Sequence, residues 1–246
     1  MEFRLQFFIC LVGMFLIPIT LRAQTTSPES IFQVLSSRSA DLPELAKRFR
    51  LDEEEPARQC SDASEVSKKL LWDGQSQSVV AVEFYSSTCL KQFAIIFAGN
   101  SDMWTYSGTL VLEERYTKPE YNATVLFAGQ MPVIVVTNNT IDSGTGVSQQ
   151  NTQVFAFIGE SLQLVFDEPQ RVSLAVPFRP KCCPVQYSET QTSTFRLIPP
   201  KGGQPSGSIE EARHIIVNGR SVTQYRRYVW NSRWNRFYSV GFAPAP

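Results

Sequence analysis

From Ser78 onward the chain is a succession of short runs rich in valine, isoleucine, phenylalanine and tyrosine, separated by polar stretches that carry glycine or asparagine. Such runs are too short for helices that must bury a long stripe, but branched and aromatic side chains suit a pleated surface. They predict strands at 79–84, 92–98, 104–113, 122–127, 132–137, 153–158, 162–166, 172–177 and 192–198. The expected fold class is mainly β: an antiparallel meander or blade-like repeats behind a short α-helical N-terminal segment.

Residues 24–71 lack that texture and read as helical. Ser27-Pro28-Glu29 is an N-cap serine followed by proline in the first turn, where the missing N–H is no loss. Asp41-Leu42-Pro43-Glu44 repeats the logic ahead of Leu45, Ala46 and Phe49. Asp62 to Glu65 has capping-box spacing, with Val66, Leu70 and Leu71 following on one side. The acidic stretch 52–56 reads as a solvated connection, without the alternating oxygen ligands of a calcium loop.

Residues 1–23 read as a signal peptide. Arg4 precedes an almost uninterrupted apolar run over 5–21, and the small Ala23 stands before Gln24, as signal-peptidase cleavage requires. The mature chain is then expected to be secreted or periplasmic, without a transmembrane segment. An uncleaved anchor is the alternative, because the run sits near the lower length that spans a bilayer. The chain balances 23 basic against 23 acidic residues. Losing Arg4, Arg22 and Glu2 keeps it near neutral, which argues against a nucleic-acid binder.

Cys10 would leave with the leader. Cys60, Cys89, Cys182 and Cys183 remain, and an even number outside the cytosol favours disulfides over metal ligands. Adjacent cysteines sit about 3.8 Å apart across a trans peptide, short of the roughly 4.4–6.8 Å that ordinary disulfides want. The favoured pairing therefore joins Cys60 and Cys89 each to one of Cys182 and Cys183, closing loops of roughly 90 to 120 residues. A strained vicinal disulfide acting as a redox or ligand-sensing element is the competing reading.

The chain divides into a β domain over 72–199, a Pro/Gly-rich loop or linker over 200–208, and a C-terminal β unit over 209–246 that packs on the β domain. Asn218-Gly219 marks a hairpin turn inside that last unit. A loose recurrence of strand, variable loop, strand, tight turn and strand runs at a period of roughly 35 to 45 residues.

One resemblance follows from particular motifs. Met131-Pro132-Val133-Ile134-Val135-Val136, then Ser143-Gly144-Thr145-Gly146, Phe155-Ala156-Phe157-Ile158 and Leu162-Gln163-Leu164-Val165-Phe166 resemble the repeat of secreted bacterial proteins similar to FG-GAP (integrin-like) propeller blades. Tyr228-Val229-Trp230 with Arg236-Phe237-Tyr238-Ser239-Val240 is similar to the closing hairpin, and Cys182-Cys183-Pro184 to an element of such exported proteins. The resemblance spans about half of the mature chain and implies blade-like β units. Calcium-binding members carry closely spaced Asp and Asn ahead of the strand. Here Ala128-Gly129-Gln130 precedes Met131 without a carboxylate, so the calcium function does not carry over.

No catalytic set emerges. His214 is the sole histidine, so a multi-imidazole metal site has no partners for it, and no Gly-x-Ser-x-Gly elbow supports a triad. It reads as a surface or strand-edge residue. Paired carboxylates for glycoside hydrolysis would have to come from Glu83, Glu113, Glu114 or Asp142, and strand carboxylates ordinarily face solvent. The loop over 137–150 holds Gly144 and Gly146 and could border a cleft, but no lysine follows them as a phosphate loop needs. Asn122-Ala123-Thr124 and Asn138-Asn139-Thr140 are glycosylation sequons that matter only in a glycosylating host.

The most distinctive patch is the tail, where Arg213, Arg220, Arg226, Arg227, Arg233 and Arg236 interleave with Tyr225, Tyr228, Trp230, Trp234 and Tyr238. Arg226, Arg227, Trp230, Arg233 and Trp234 are the candidate binding residues, since arginine and aromatic rings together hold anionic polymers. The plainer reading is a half-buried hairpin with aromatics inward and arginines outward. The functional expectation is an exported, non-enzymatic binding or structural module of the cell envelope, with anionic polysaccharide or an envelope protein as partner and no cofactor or metal. An envelope hydrolase using paired carboxylates is the alternative.

Overall fold

The computed structural model describes residues 27–37, 42–49, 62–88, 90–100, 103–112, 119–128, 131–142, 148–176 and 187–242. Residues 1–23 and all five cysteines fall outside them, and with them the expectations about export and disulfides. Among the described residues no helix is long and apolar enough to cross a membrane.

Two short helices, α1 (Pro28–Ser36) and α2 (Leu42–Arg48), precede twelve strands. Ser27 starts α1 as its sequence implies: its backbone is extended, and its Oγ accepts from the N–H of Ser30 at 3.1 Å. The strands β1 (Ser64–Asp73), β2 (Ser78–Ser86), β3 (Lys91–Gly99) and β4 (Trp104–Leu112) form one antiparallel sheet in chain order. A second antiparallel sheet runs in order through β5 (Glu120–Thr124), β6 (Val133–Asp142), β7 (Ser148–Ile158), β8 (Ser161–Val176), β9 (Tyr187–Ile198), β10 (Ser208–Val217), β11 (Arg220–Asn231) and β12 (Arg236–Phe242). The mainly β meander with a short helical start is therefore the observed architecture.

The helical expectation fails over 64–71, where the chain forms β1. Its register with β2 runs from Ser64↔Tyr85 to Asp73↔Ser78, so ladder bonds to a buried neighbour outweigh a helical spacing that local sequence alone supports. Asp62 spends its acceptor capacity on the β2–β3 turn rather than on a helix. It takes the N–H of Ser87 and of Thr88, each at 2.9 Å, together with the hydroxyls of Ser86, Ser87 and Thr88.

Both faces of the four-stranded sheet are covered, which is why β2 and β3 read as continuous apolar runs. On one face Ile31 and Leu35 of α1, with Phe49, meet Val82, Phe84, Phe93, Ile95 and Phe97. Phe84 and Phe93 stack at 5.2 Å, each buried ring contributing roughly 1.5–3 kcal/mol. The carbonyl of Phe49 accepts from Tyr106 and Thr109, which ties α2 to β4. On the other face Val79, Ala81, Ala94, Ile96, Leu110 and Leu112 meet Tyr121, Ile134 and Val136 of the second sheet. Polar clamps join the sheets as well: Lys69 donates to the carbonyl of Tyr121 at 3.0 Å, and Asn139 to that of Val111 at 3.2 Å.

The eight-stranded sheet curls so that β12 approaches β8. Its concave face gathers Val133, Val135, Val154, Phe166, Ile209, Tyr228 and Phe237 into a third core. Phe166 lies edge-on to Phe195 and Tyr228 at 5.4 and 5.0 Å.

Several boundaries differ from the sequence pattern. The runs expected at 162–166 and 172–177 are one strand, β8. Its polar middle holds Pro169 at a register shift, since Asn151 pairs with Pro169 while Gln150 pairs with Arg171; a bulge is where a strand tolerates proline. Most of the loop expected over 137–150 belongs to β6 and β7. The expected strand end at 122–127 is shorter, and Phe127 instead makes an isolated bridge with Ser206. β10 pairs with β9 over its whole length, so the C-terminal unit continues the sheet. Asn218 and Gly219 both have positive φ, 48° and 78°, as a two-residue hairpin turn of their type requires.

Candidate functional site

The tail residues do not share one surface. Arg226, Tyr228 and Trp230 alternate onto the concave face, while Arg227 points to the opposite face, opposite Glu210 in register, and donates to Ser208 at 3.3 Å. Arg233 and Trp234 occupy the β11–β12 turn, where Trp234 is 69% exposed. His214 lies on the outer face beside Thr223, its Nδ1 3.2 Å from the hydroxyl. Glu83 is held by Ser67, Gln92 and Tyr121, and Asp142 closes β6. Glu113, Glu114 and the four candidate disulfide cysteines lie outside the described residues.

What does converge is a buried polar cluster in the middle of the concave face. Glu211 of β10 has no exposed side-chain surface. Its Oε1 accepts from Ser193 Oγ and Arg213 Nε, each at 2.6 Å, and its Oε2 from Tyr228 Oη at 2.9 Å. Arg213, 11% exposed, reaches on to Glu168 at 3.6 Å. Burial pushes the Tyr228 phenol well above its ordinary range and the Glu211 carboxylate adds to that, so the hydroxyl stays a donor. Glu168 is raised above the usual carboxylate range, first by burial and then by the charge of Glu211, against the pull of Arg213 and Arg226.

Two carboxylates thus sit in one cluster, Glu168 and Glu211, neither of them among the candidates from sequence. Glycoside hydrolysis needs both acids to reach the substrate, and Glu211 is enclosed with each oxygen already bonded. The arrangement fits a satisfied interior network, in which removing one charged partner costs about 3–5 kcal/mol because the other is left buried and alone.

Among the described residues, one open feature is a groove of about 1070 Å³ where the turns at one end of the eight-stranded sheet meet the β1–β2 turn. Its walls carry Trp72, Phe127, Met131, Phe157 and Trp230, and its polar atoms come from residues 75–77 and from Ser206, Ser232 and Asn235. None of the described lining residues has an ionisable side chain. Asp73 and Arg233 interrupt the lining segments in sequence and Glu160 follows one, but none of the three is part of the lining.

Each wall is fixed locally. Trp230 is wedged between Phe127 at 4.8 Å, edge-on at 78°, and Phe237 at 5.3 Å. The Pro/Gly-rich stretch 200–208, expected as a loop or linker, is pinned against the segment after β5: Gly207 donates to Leu126 at 2.8 Å and Ala128 to Pro205 at 3.1 Å. A Cβ at Gly207 would stand 1.9 Å from the Ile198 carbonyl, so only glycine fits that approach. On the facing wall a Cβ at Gly74 would fall 2.7 Å from Trp72 Nε1 and 2.9 Å from the Gln77 carbonyl oxygen; the bare glycine lets the indole lie over the closed turn. In the β11–β12 turn Asn231 Oδ1 accepts the N–H of Arg233 at 2.9 Å and of Trp234 at 3.3 Å.

The likeness to FG-GAP blades rests on the sequence motifs alone. No protein-family model matches the chain, and neither a curated protein nor a solved structure shows significant similarity to it.

Proposed function

We propose that this chain is an exported, non-enzymatic binding module of the cell envelope and that its ligand lies in the turn-end groove. One observation carries the reading: the groove is roomy, walled by aromatic rings held in place by packing and turn hydrogen bonds, and bordered by amides and hydroxyls. A largely apolar concavity with a few convergent polar groups is the usual form of a ligand site. Walls that are already ordered lose little entropy on binding. The hydrolase alternative has less behind it, because one of its two converging acids, Glu211, is sealed inside the protein.

The test uses the mature chain from Gln24 mixed with insoluble envelope material from a Gram-negative bacterium. Retention should fall by well over about tenfold when Trp72 and Trp230 are both replaced by alanine, with no release of soluble sugar or peptide over hours. Retention indifferent to the double replacement, or release of fragments that Glu168→Gln abolishes, would overturn the proposal.

A further inference from the structure

We infer that the groove takes an uncharged oligosaccharide chain. This rests on the groove being the binding site and adds the chemistry of what it holds.

The argument begins from charge. The described lining carries no acid, base or histidine, and Asp73, Glu160 and Arg233 beside it in sequence are exposed to water, so an ion drawn in between the rings would give up hydration without a partner among the lining residues. Anionic polymers, cationic polymers and acidic lipids are therefore poor occupants. A wholly apolar ligand fits no better, because it would cover amides and hydroxyls at Gln75, Gln77, Ser206, Ser232 and Asn235 without bonding them, at a cost for each group left unpaired.

A sugar ring meets both demands. Its axial C–H face is apolar and lies flat on an indole or phenyl ring, while its hydroxyl rim bonds amides and hydroxyls, which are neutral as well. Trp72 and Trp230 supply the platforms. Trp230 is fixed by Phe127 and Phe237, and Trp72 is seated over Gly74. The volume, about 1070 Å³, stands at the top of the roughly 300–1,000 Å³ range of small-molecule sites, which suits several linked rings.

An extended neutral peptide is the nearest competitor. It would need a row of open backbone donors and acceptors, and the groove's turns spend several of theirs internally. Gly74 donates to Gln77 at 3.1 Å, Ala128 to Pro205 and Gly207 to Leu126.

Tryptophan fluorescence and titration calorimetry on the mature chain provide the test, with cellohexaose, mannohexaose and N-acetylchitohexaose as neutral probes. Hexagalacturonate and fully deacetylated chitohexaose supply the anionic and cationic counterparts, and a neutral Ser/Gln-rich peptide the peptide arm. At least one neutral hexasaccharide should bind, with an affinity unchanged between low and high salt because no ion pair contributes. The charged chains and the peptide should bind at least about tenfold more weakly.

Trp230→Ala and Trp72→Ala should each weaken binding about tenfold, the loss expected when a stacking ring is removed. Gly74→Ala, which displaces the Trp72 indole and presses on the Gln77 carbonyl of the same turn, should weaken binding while leaving the far-ultraviolet spectrum intact, and this guards against a variant that merely unfolds. The inference falls if no neutral chain binds, if a charged chain or the peptide binds more tightly, or if binding ignores Trp72, Trp230 and Gly74. Should envelope retention still depend on Trp72 and Trp230 while every neutral sugar fails, the groove remains the site and only its ligand class is wrong. If retention ignores them too, both readings fall.

Discussion

The middle of the eight-stranded sheet's concave face and the groove at its turn end share strand β11 but obey opposite rules. In the middle, Glu211 is buried and Arg213 nearly so, with the half-buried Glu168 and Arg226 beside them, and the closest contacts are used up among Glu211, Arg213, Glu168, Ser193 and Tyr228. At the turn end, where the walls open to water, the described lining is neutral. Between these two regions, charge marks the one that is held shut and aromatic surface the one that is left open. The distinction matters because a titratable cluster invites a catalytic reading, and here Glu211 at its centre is out of a substrate's reach.

The sharpest break of that contrast would come from Glu211. Glu211→Ala strips the acceptor from Ser193, Arg213 and Tyr228 at once and leaves the Arg213 guanidinium buried with only Glu168 at 3.6 Å. The expected loss is about 3–5 kcal/mol in urea unfolding. A loss under about 1 kcal/mol would mean that the cluster is hydrated, and the line between a sealed middle and an open end would blur.

Next in size is Gly207→Ala, which tests whether the groove wall is as rigid as its bonding implies. The new methyl would collide with the Ile198 carbonyl, forcing backbone to move; overpacking of that kind costs about 1–3 kcal/mol. The displaced wall should also weaken ligand retention beyond what the stability loss explains. Unchanged stability would show that the 205–207 segment yields easily and that the groove is not preformed.

How much of this was legible in the sequence depends on how far each element's surroundings repeat along the chain. β2, β3 and the end of β9 were readable because burial on one or both faces writes itself into consecutive or alternating apolar residues. The β10–β11 hairpin was readable because Asn218-Gly219 dictates its own backbone. β1 was not: it is mostly exposed, so its residues record no burial pattern, and the pairing that makes it a strand belongs to β2. β8 was split because Asp167-Glu168-Pro169-Gln170 carries turn chemistry, although in the sheet it forms a bulge that turns Glu168 toward Arg213.

The site shows the same division. The groove draws Trp72, Phe127, Phe157 and Trp230 from four distant stretches, and nothing local announces that they meet. The cluster did leave one usable signal. Once Asn218-Gly219 sets the hairpin register, Glu211 must face Arg226 and Glu210 must face Arg227. Two arginines of the tail, Arg226 and Arg227, thus stand opposite acids of the neighbouring strand, a placement that the hairpin alone dictates.

The smallest effect, and the most diagnostic of sign, belongs to Glu168. Its carboxyl is raised above the ordinary value of 4.5, by burial first and by the Glu211 charge second. Between 4.5 and that raised value the folded chain therefore binds more protons than the unfolded one. By linkage, stability falls as pH rises through this window; the penalty is absent below 4.5 and complete above the raised value. Glu168→Gln removes the charge and with it the penalty, while giving up the 3.6 Å pairing with Arg213. The variant should match the parent in acid and exceed it at pH 7 by under about 1 kcal/mol, since the side chain is 30% exposed and partly screened. Urea midpoints across pH 4 to 8 decide the matter. If the variant is instead weaker at pH 7 and the gap closes on acidification, the pull of Arg213 and Arg226 exceeds the cost of burial. Glu168 is then a second structural counter-ion, and the sealed middle of the sheet extends one strand further toward β7.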